Sequence, residues 1–346
     1  MKALQVSLCL LVIPLAVAVA EESPPFPTDE GVEDLLYCPD AKLLAGATHN
    51  GIVLWHASGG SAGTLSSGSV HTLVLRGKVV YSAGDLPPRI RAWDLTKREL
   101  VGEWVVGAQP DYFSISSKGP PLPRVSLALA PKSGKLAVAW EDTVSILSAD
   151  LTVLRQFKRP TFKGSPWLSA TEDGIDVTDR YYRLQSVFWI EDEQCAAAFT
   201  SRYMGAGGWS WDLRQEDPVS PVSVRGAEGV VAGENSRLLT GDSGVAATGN
   251  GHPCARKDAW IQDSHAPSGV DLRIVNDPKS SWALELSRWN NEGSAAWKQR
   301  FEFPENAYQC FEVVGDVVVL AGGQTVIGDR RLAIRGYDLR TGRELD

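Results

Sequence analysis

At 346 residues, with 43% hydrophobic and 22% charged residues, the chain can bury a large core. Its formal charge is −8 and its Lys and Arg residues are scattered, which argues against a nucleic-acid-binding groove. No Asn-x-Ser/Thr sequon occurs, so glycosylation lends no support to a eukaryotic surface protein.

The first twenty residues read as a cleavable secretory leader: Lys2, an apolar run from Leu4 to Val19, and Ala18-Val19-Ala20 ahead of Glu21-Glu22. The run is too short and too poorly flanked for a membrane span, so residues 21–346 are expected as one exported domain, secreted or periplasmic. Four cysteines then remain, Cys38, Cys195, Cys254 and Cys310. An even number in an exported chain permits two disulfides, with three pairings open; buried free thiols are the alternative.

A phrase then begins to recur. Pro39 to Trp55 (PDAKLLAGATHNGIVLW) sets out a turn, an apolar run, a polar turn and a second run closed by an aromatic. Ser58 to Ser69 reads as a long Gly/Ser-rich turn, and its Gly59-Gly60-Ser61-Ala62-Gly63 lacks the helix that a nucleophile elbow needs. Val70–Leu75, Lys78–Ala83 and Arg89–Trp93 repeat the grammar; so do Val125–Leu129, Leu136–Trp140 and Thr143–Leu147. Ser186–Ile190, Cys195–Thr200 and Gly208–Trp211 form a further unit, with Tyr203–Gly208 read as a flexible turn. Weaker copies lie at 229–242 and 270–286, and a clear one ends at Tyr337.

The closing residues Trp55, Trp93, Leu147, Trp211 and Tyr337 are separated by 38, 54, 64 and 126 residues, the last being three units of 42. Repetition on this scale implies a radial β architecture. The expected fold is therefore all-β, a β-propeller of seven four-stranded blades whose ring leaves no exposed sheet edges to recruit other chains. Asp85, Asp142 and Asp242 are read as acceptors for backbone N–H groups in the tight turns.

Pro39–Trp55, Gly84-Asp85 and Ala92-Trp93-Asp94-Leu95 resemble the strands, turn aspartate and Trp-Asp end of WD40 repeats. Gly336 to Leu345 (GYDLRTGREL) also resembles the blade ends of quinoprotein-like propellers. The Gly-His pair that opens most WD40 repeats is missing, and Trp-Asp survives only at Trp93-Asp94 and Trp211-Asp212.

Two segments break the rhythm. Residues 158–182 gather Trp167, Tyr181 and Tyr182 with Glu172, Asp173 and Asp176, aromatic contact area beside carboxylate anchors, and form the candidate binding site. Residues 249–269 bring His252, Cys254 and His265, weak candidates for a metal, since their spacing matches no structural zinc pattern. No catalytic residue or cofactor is assigned. The expected function is a non-enzymatic binding platform for a protein or peptide, with carbohydrate as a further ligand class and no nucleic acid. The alternatives are a polysaccharide hydrolase or lyase, through carboxylates paired in the 158–182 loop, and a short quinoprotein-like oxidoreductase.

Overall fold

The computed structural model describes Phe26 and residues 31–66, 68–85, 87–107, 125–158, 171–172, 175–176, 186–201, 205–215, 219–222, 229–232, 237–241, 244–248, 259–265, 268–277, 281–290, 294–302, 308–322 and 334–345. Strands follow one another in chain order and pair antiparallel with their immediate neighbours. The first sheet is β1 (Val32–Cys38), β2 (Leu43–Thr48), β3 (Gly51–His56) and β4 (Ser61–Ser66). The second is β5 (Thr72–Arg76), β6 (Val79–Asp85), β7 (Pro88–Asp94) and β8 (Glu99–Val105). The third is β9 (Ser126–Leu129), β10 (Leu136–Trp140), β11 (Thr143–Leu147) and β12 (Val153–Lys158). A two-stranded hairpin, β13 (Thr171–Glu172) and β14 (Ile175–Asp176), precedes the fourth sheet, β15 (Ser186–Glu191), β16 (Gln194–Ser201), β17 (Gly205–Asp212) and β18 (Val219–Val222). Three strands are described in the fifth: β19 (Gly229–Ala232), β20 (Arg237–Gly241) and β21 (Gly244–Thr248). The sixth is β22 (Ala259–His265), β23 (Val270–Asp277), β24 (Ser281–Trp289) and β25 (Ala295–Glu302), and the seventh β26 (Tyr308–Val314), β27 (Val317–Gly322), β28 (Arg335–Asp338) and β29 (Glu344–Leu345). The molecule is thus all-β, with six four-stranded antiparallel meanders and a fifth sheet described as three strands.

Burial varies with strand position in the described sheets. Every residue of β2 and of β10 is buried, whereas β8 and β12 are mostly exposed. A middle strand is covered on both faces by neighbouring sheets, so it reads as an unbroken apolar run. An outer strand has solvent beside it and accepts polar, small and charged residues. The outer-strand rule accounts for the first of three departures from the sequence reading. Ser61–Ser66, within the segment read as a turn, is the outer strand β4, and the glycines from Gly205 open β17. Ala259–His265 is likewise β22, so the blade rhythm resumes inside the span read as an inserted loop.

The closing residues anchor the joints between sheets. Trp55, Trp93, Leu147, Trp211 and Tyr337 all lie on third strands and are buried. Each packs on the preceding sheet. Trp93 joins the cluster of Leu43, Ala45 and Leu54; Leu147 joins Tyr81 and Ile90; Trp211 joins Ala137 and Ile146; Tyr337 joins Leu272 and Leu286. Trp55, on the first sheet, completes the pattern with Cys310, Val319 and Ala321 of the seventh. In the sixth sheet the register puts Ser287 in the anchor position, opposite Asp271, which is why that unit is faint in the sequence.

First strands lie side by side: β1 beside β5, β5 beside β9, β9 beside β15, β19 beside β22, β22 beside β26, and β26 beside β1. Several of their N–H groups are satisfied by side chains of the neighbouring sheet. Leu73 N donates to Asp34 Oδ2 (2.7 Å), Val187 N to Ser126 Oγ (2.9 Å), and Tyr37 N to Glu312 Oε2 (3.2 Å). The stitch between the seventh and first sheets repeats those between consecutive ones. Both end sheets are built from contiguous chain: β1 lies in the first sheet and β29 completes the seventh, with no strand exchanged among the described residues.

The disulfide expectation is corrected. Cys38 and Cys195 are free and buried, and no bridge joins the described cysteines Cys38, Cys195 and Cys310. Two bridges would require all four. Cys38 Sγ donates to Gly77 O and Cys310 Sγ to Ala321 O, while burial pushes the Cys195 thiol up to about 12. All three are small apolar fillers of sheet joints, and burial raises the Cys38 thiol as well, which keeps Cys38 and Cys195 protonated. Cys254 lies outside the described residues.

Candidate functional site

In a four-stranded meander the first-to-second and third-to-fourth turns share one end, and the second-to-third turns and inter-sheet connections share the other. The first of these ends is built on aspartates. Asp94 Oδ1 accepts from Thr96 N (3.0 Å), Thr96 Oγ1 (2.6 Å) and Lys97 N (3.2 Å), and Lys78 Nζ lies 3.0 Å from its Oδ2. Asp338 Oδ1 accepts from Arg340 N, Thr341 N and Thr341 Oγ1, and Asp212 Oδ1 from Arg214 N and Nε. The aspartate following the aromatic anchor is therefore the turn-former. Asp142, read as such, instead accepts from the Thr143 hydroxyl. The side chain of Asp85 and all of Asp242 lie outside the described residues.

Ionisation follows from these bonds. The Thr96 hydroxyl, then Lys78, hold Asp94 well below the usual carboxylate range; Arg214 brings Asp212 down to about 2; the hydroxyl of Thr341 lowers Asp338. Carboxylates lowered in the folded state contribute stability that is complete above the unfolded value of about 4 and lost as pH falls through the folded value. The melting temperature is expected to be flat from pH 7 to about 5 and to fall between about pH 4 and 2. Asp94→Ala should melt lower than the parent at pH 7, with the gap closing toward pH 2; a gap independent of pH would show that the charge at Asp94 does not support the turn.

The turn end also clamps neighbouring sheets together. Arg155 of β12 donates from Nη1 to Leu213 O (2.7 Å) and from Nη2 to Gln215 O (3.3 Å) in the third-to-fourth turn of the next sheet. Gln299 Nε2 of β25 donates to Gly342 O (2.8 Å), and Trp297 Nε1 to Leu339 O (2.9 Å). Between the second and third sheets the corresponding space is an open groove of about 440 Å³. Its walls are Arg76, Tyr81, Val101 and Gly102 on one side and Ala149, Asp150 and Leu151 on the other. Tyr81 Oη donates to Ala149 O (2.8 Å) at its floor. Val101, on the lip, is 55% exposed, and β8 and β12 carry Leu100, Val105, Val153 and Leu154 exposed alongside.

The sequence-predicted site is only partly described. Trp167, Asp173, Tyr181 and Tyr182 lie outside the described residues. Glu172 and Asp176 fall on the β13–β14 hairpin, where Glu172 pairs with Ile175 and Asp176 with Thr171, so the two acidic residues are not cross-strand partners. The excursion leaves β12 at the end opposite the aspartate turns. Of the weak metal candidates, His265 is the last residue of β22, paired with Val270, while His252 and Cys254 are outside the described residues. Among the described residues no group of three or more His, Cys, Asp and Glu is placed to hold a metal ion, and no helix is long and apolar enough to cross a membrane. The groove was missed by sequence reading. Of its lining residues only Val101, in the aliphatic pair Leu100-Val101 that follows a repeat-end turn, offered a signal in the sequence.

This arrangement defines a repeat scaffold of WD40-like architecture. Comparison with solved structures agrees: the chain is similar to the structure of U3-55K, at 14% identity and a TM-score of 0.56, over 89% of this chain and 93% of that one. It is similar to the crystal structure of RRP9 WD40 repeats to the same degree, over 88% and 91%. No family model matches the chain, and no curated protein matches it. The likeness is one of fold.

Proposed function

We propose that this protein is an exported, non-enzymatic platform that binds a protein or peptide partner, built as seven blades closed by packing of the seventh sheet on the first. The stitch from Glu312 to Tyr37 and the burial of Trp55 against Val319 support closure, and the leader-like residues 1–20 support export. The observation that carries the binding reading is the exposed aliphatic set on β8 and β12, with Leu154 50% exposed on β12 and Val101 55% exposed on β8, where it lines an open groove. Outer strands ordinarily carry charge to keep other chains away, so exposed aliphatics on rigid sheets suit a surface that is covered in use. The 158–182 excursion, with Trp167 and Tyr181, is the second candidate contact surface, on the strength of its aromatic and acidic sequence.

Affinity capture with three baits tests this: the parent, Val101→Asp/Leu154→Asp, and Trp167→Ala/Tyr181→Ala. Each variant should keep its melting temperature and bind the captured partner at least about tenfold more weakly, a loss of about 1.4 kcal/mol. Full binding by both variants would overturn the platform reading. So would a loss that merely tracks a fall in stability.

A further inference from the structure

Lysine and arginine are scattered along the sequence, and the fold gathers six of them at one place on the aspartate-turn end. Arg76 and Lys78 flank Gly77 where β5 turns into β6, Lys97 and Arg98 lie between β7 and β8, and Lys132 and Lys135 lie between β9 and β10. The three stretches 76–78, 96–98 and 131–135 contain no carboxylate. They are also held against one another. Lys78 Nζ lies 3.0 Å from Asp94 Oδ2, and Lys97 N donates to Oδ1 of the same carboxylate (3.2 Å), which ties the two turns of the second sheet together. The Arg76 side chain lies across Gly134, where a Cβ would stand 2.4 Å from its Nε, so it reaches the turn of the third sheet.

Most of this charge is not neutralised. Lys78 pairs with Asp94 and Lys135 with Glu193, whereas Arg76, Lys97, Arg98 and Lys132 are exposed and make no ion pair among the described residues. The nearby carboxylates are engaged by their own turns or by backbone: Asp94 by Thr96, Asp150 by the Ser148 and Thr152 hydroxyls, and Asp192 by the N–H groups of Lys132 and Ser133. Asp40, in the first sheet's first turn, and Glu99, at the head of β8, border the patch. Arg98 is kept at a conformational cost. Its φ is +59°, and its N–H donates to Asp94 O (2.7 Å) as that of Gly342, at φ +69°, donates to Asp338 O (2.8 Å). The seventh sheet fills that turn position with the residue the backbone favours, and the second sheet fills it with a cation. On a chain of formal charge −8 the patch is a local property of this surface, opposite in sign to the composition.

The patch shares Arg76 with the open groove, whose other walls include Val79, Ala92, Val101 and Leu151. We infer that this surface docks an extended acidic segment of a partner protein, with one aliphatic side chain in the groove and carboxylates following it onto Arg76, Lys78, Lys97 and Lys132. This deepens the platform reading and rests on it. The cations steer the segment in and hold its carboxylates, while the aliphatic contact sets its register. Asp150, also on the groove wall, sets its direction, since carboxylates are repelled from the 149–151 turn and drawn toward Arg76. A phosphodiester chain would match the charge but has no aliphatic side chain for the groove.

The test is selection of phage-displayed random heptapeptides on the full chain, followed by fluorescence anisotropy of the recovered peptides. They should be enriched in Asp and Glu beside a Leu, Ile or Val. Replacing their carboxylates by amides should weaken binding at least tenfold, and so should Arg76→Gln or Lys97→Gln/Lys132→Gln in the protein; added salt should weaken it as well. Both lysines are exposed, so their double variant should melt at the parent temperature, which separates loss of charge from misfolding. Recovery of no peptide, of basic or uncharged peptides, or of acidic peptides indifferent to both charge variants overturns the proposal. So does tighter binding of phosphatidylserine vesicles or of single-stranded DNA than of any recovered peptide. Should Lys97→Gln/Lys132→Gln retain the partner captured by the parent while Val101→Asp/Leu154→Asp loses it, the platform stands and the dock for an acidic segment falls.

Discussion

Trp55→Ala is expected to destabilise the protein by about 3–5 kcal/mol, the range for emptying a large aromatic from a packed core. Trp55 is 0% exposed and meets Phe26 edge-on at 6.4 Å. Gly46 faces the ring so closely that a Cβ there would stand 2.7 Å from it. The site matters beyond its volume. Among the described residues the first and seventh sheets share no strand, so side chains hold their joint, and Trp55 is the largest of those buried there. Denaturant unfolding should show the loss as a lower midpoint, and limited proteolysis should cut the variant first near β1 or β29. A loss below about 1 kcal/mol would show that the joint collapses around the gap or is not closed by this residue.

The second large effect is expected at Arg273. Its guanidinium lies 2.6 Å from Asp271 Oδ2, with both side chains almost wholly buried, and stacks 4.5 Å above the Trp289 ring. Trp289 Nε1 in turn donates to Ser287 Oγ, and Lys298 Nζ lies 5.3 Å from the same ring and 2.8 Å from Glu285. The sixth sheet thus presents charge on the face where the first four sheets and the seventh present an aromatic or leucine anchor. Arg273→Met removes one partner and leaves a buried carboxylate, at a cost of about 3–5 kcal/mol. Replacing both, Asp271→Leu/Arg273→Met, should recover most of that loss, because desolvating two charges offsets much of what their attraction returns. Equal destabilisation of the single and double variants, measured as unfolding free energies, would mean that the pair is held by more than its mutual attraction.

The repeat was legible because burial on both faces of a middle strand leaves an unmistakable apolar run. Leu43–Thr48, Leu136–Trp140 and Val317–Ala321 were readable as strands for this reason, and the anchors Trp55, Trp93, Trp211 and Tyr337 fell where the phrase predicted. Outer strands obey no such rule. Ser61–Ser66 passed for a turn because solvent on one side lets glycine and serine stand in a strand. Ala259–His265 passed for a loop because the sixth sheet replaces its apolar anchor with Ser287 beside a charged pair, which erases the period on which recognition depends.

Local pattern alone therefore determined the all-β class, the number of anchors and the aromatic-aspartate turn, since each depends on residues within one meander. Tertiary structure alone decided which carboxylates form turns, which cysteines stay apart, and where a groove opens. Those depend on register between strands and on which side chain a neighbouring sheet does or does not supply. Gly102 is one such case: as a letter it reads as a weak strand residue, and only its pairing with Ala92 and the approach of Leu151 from the next sheet place it on the wall of the groove.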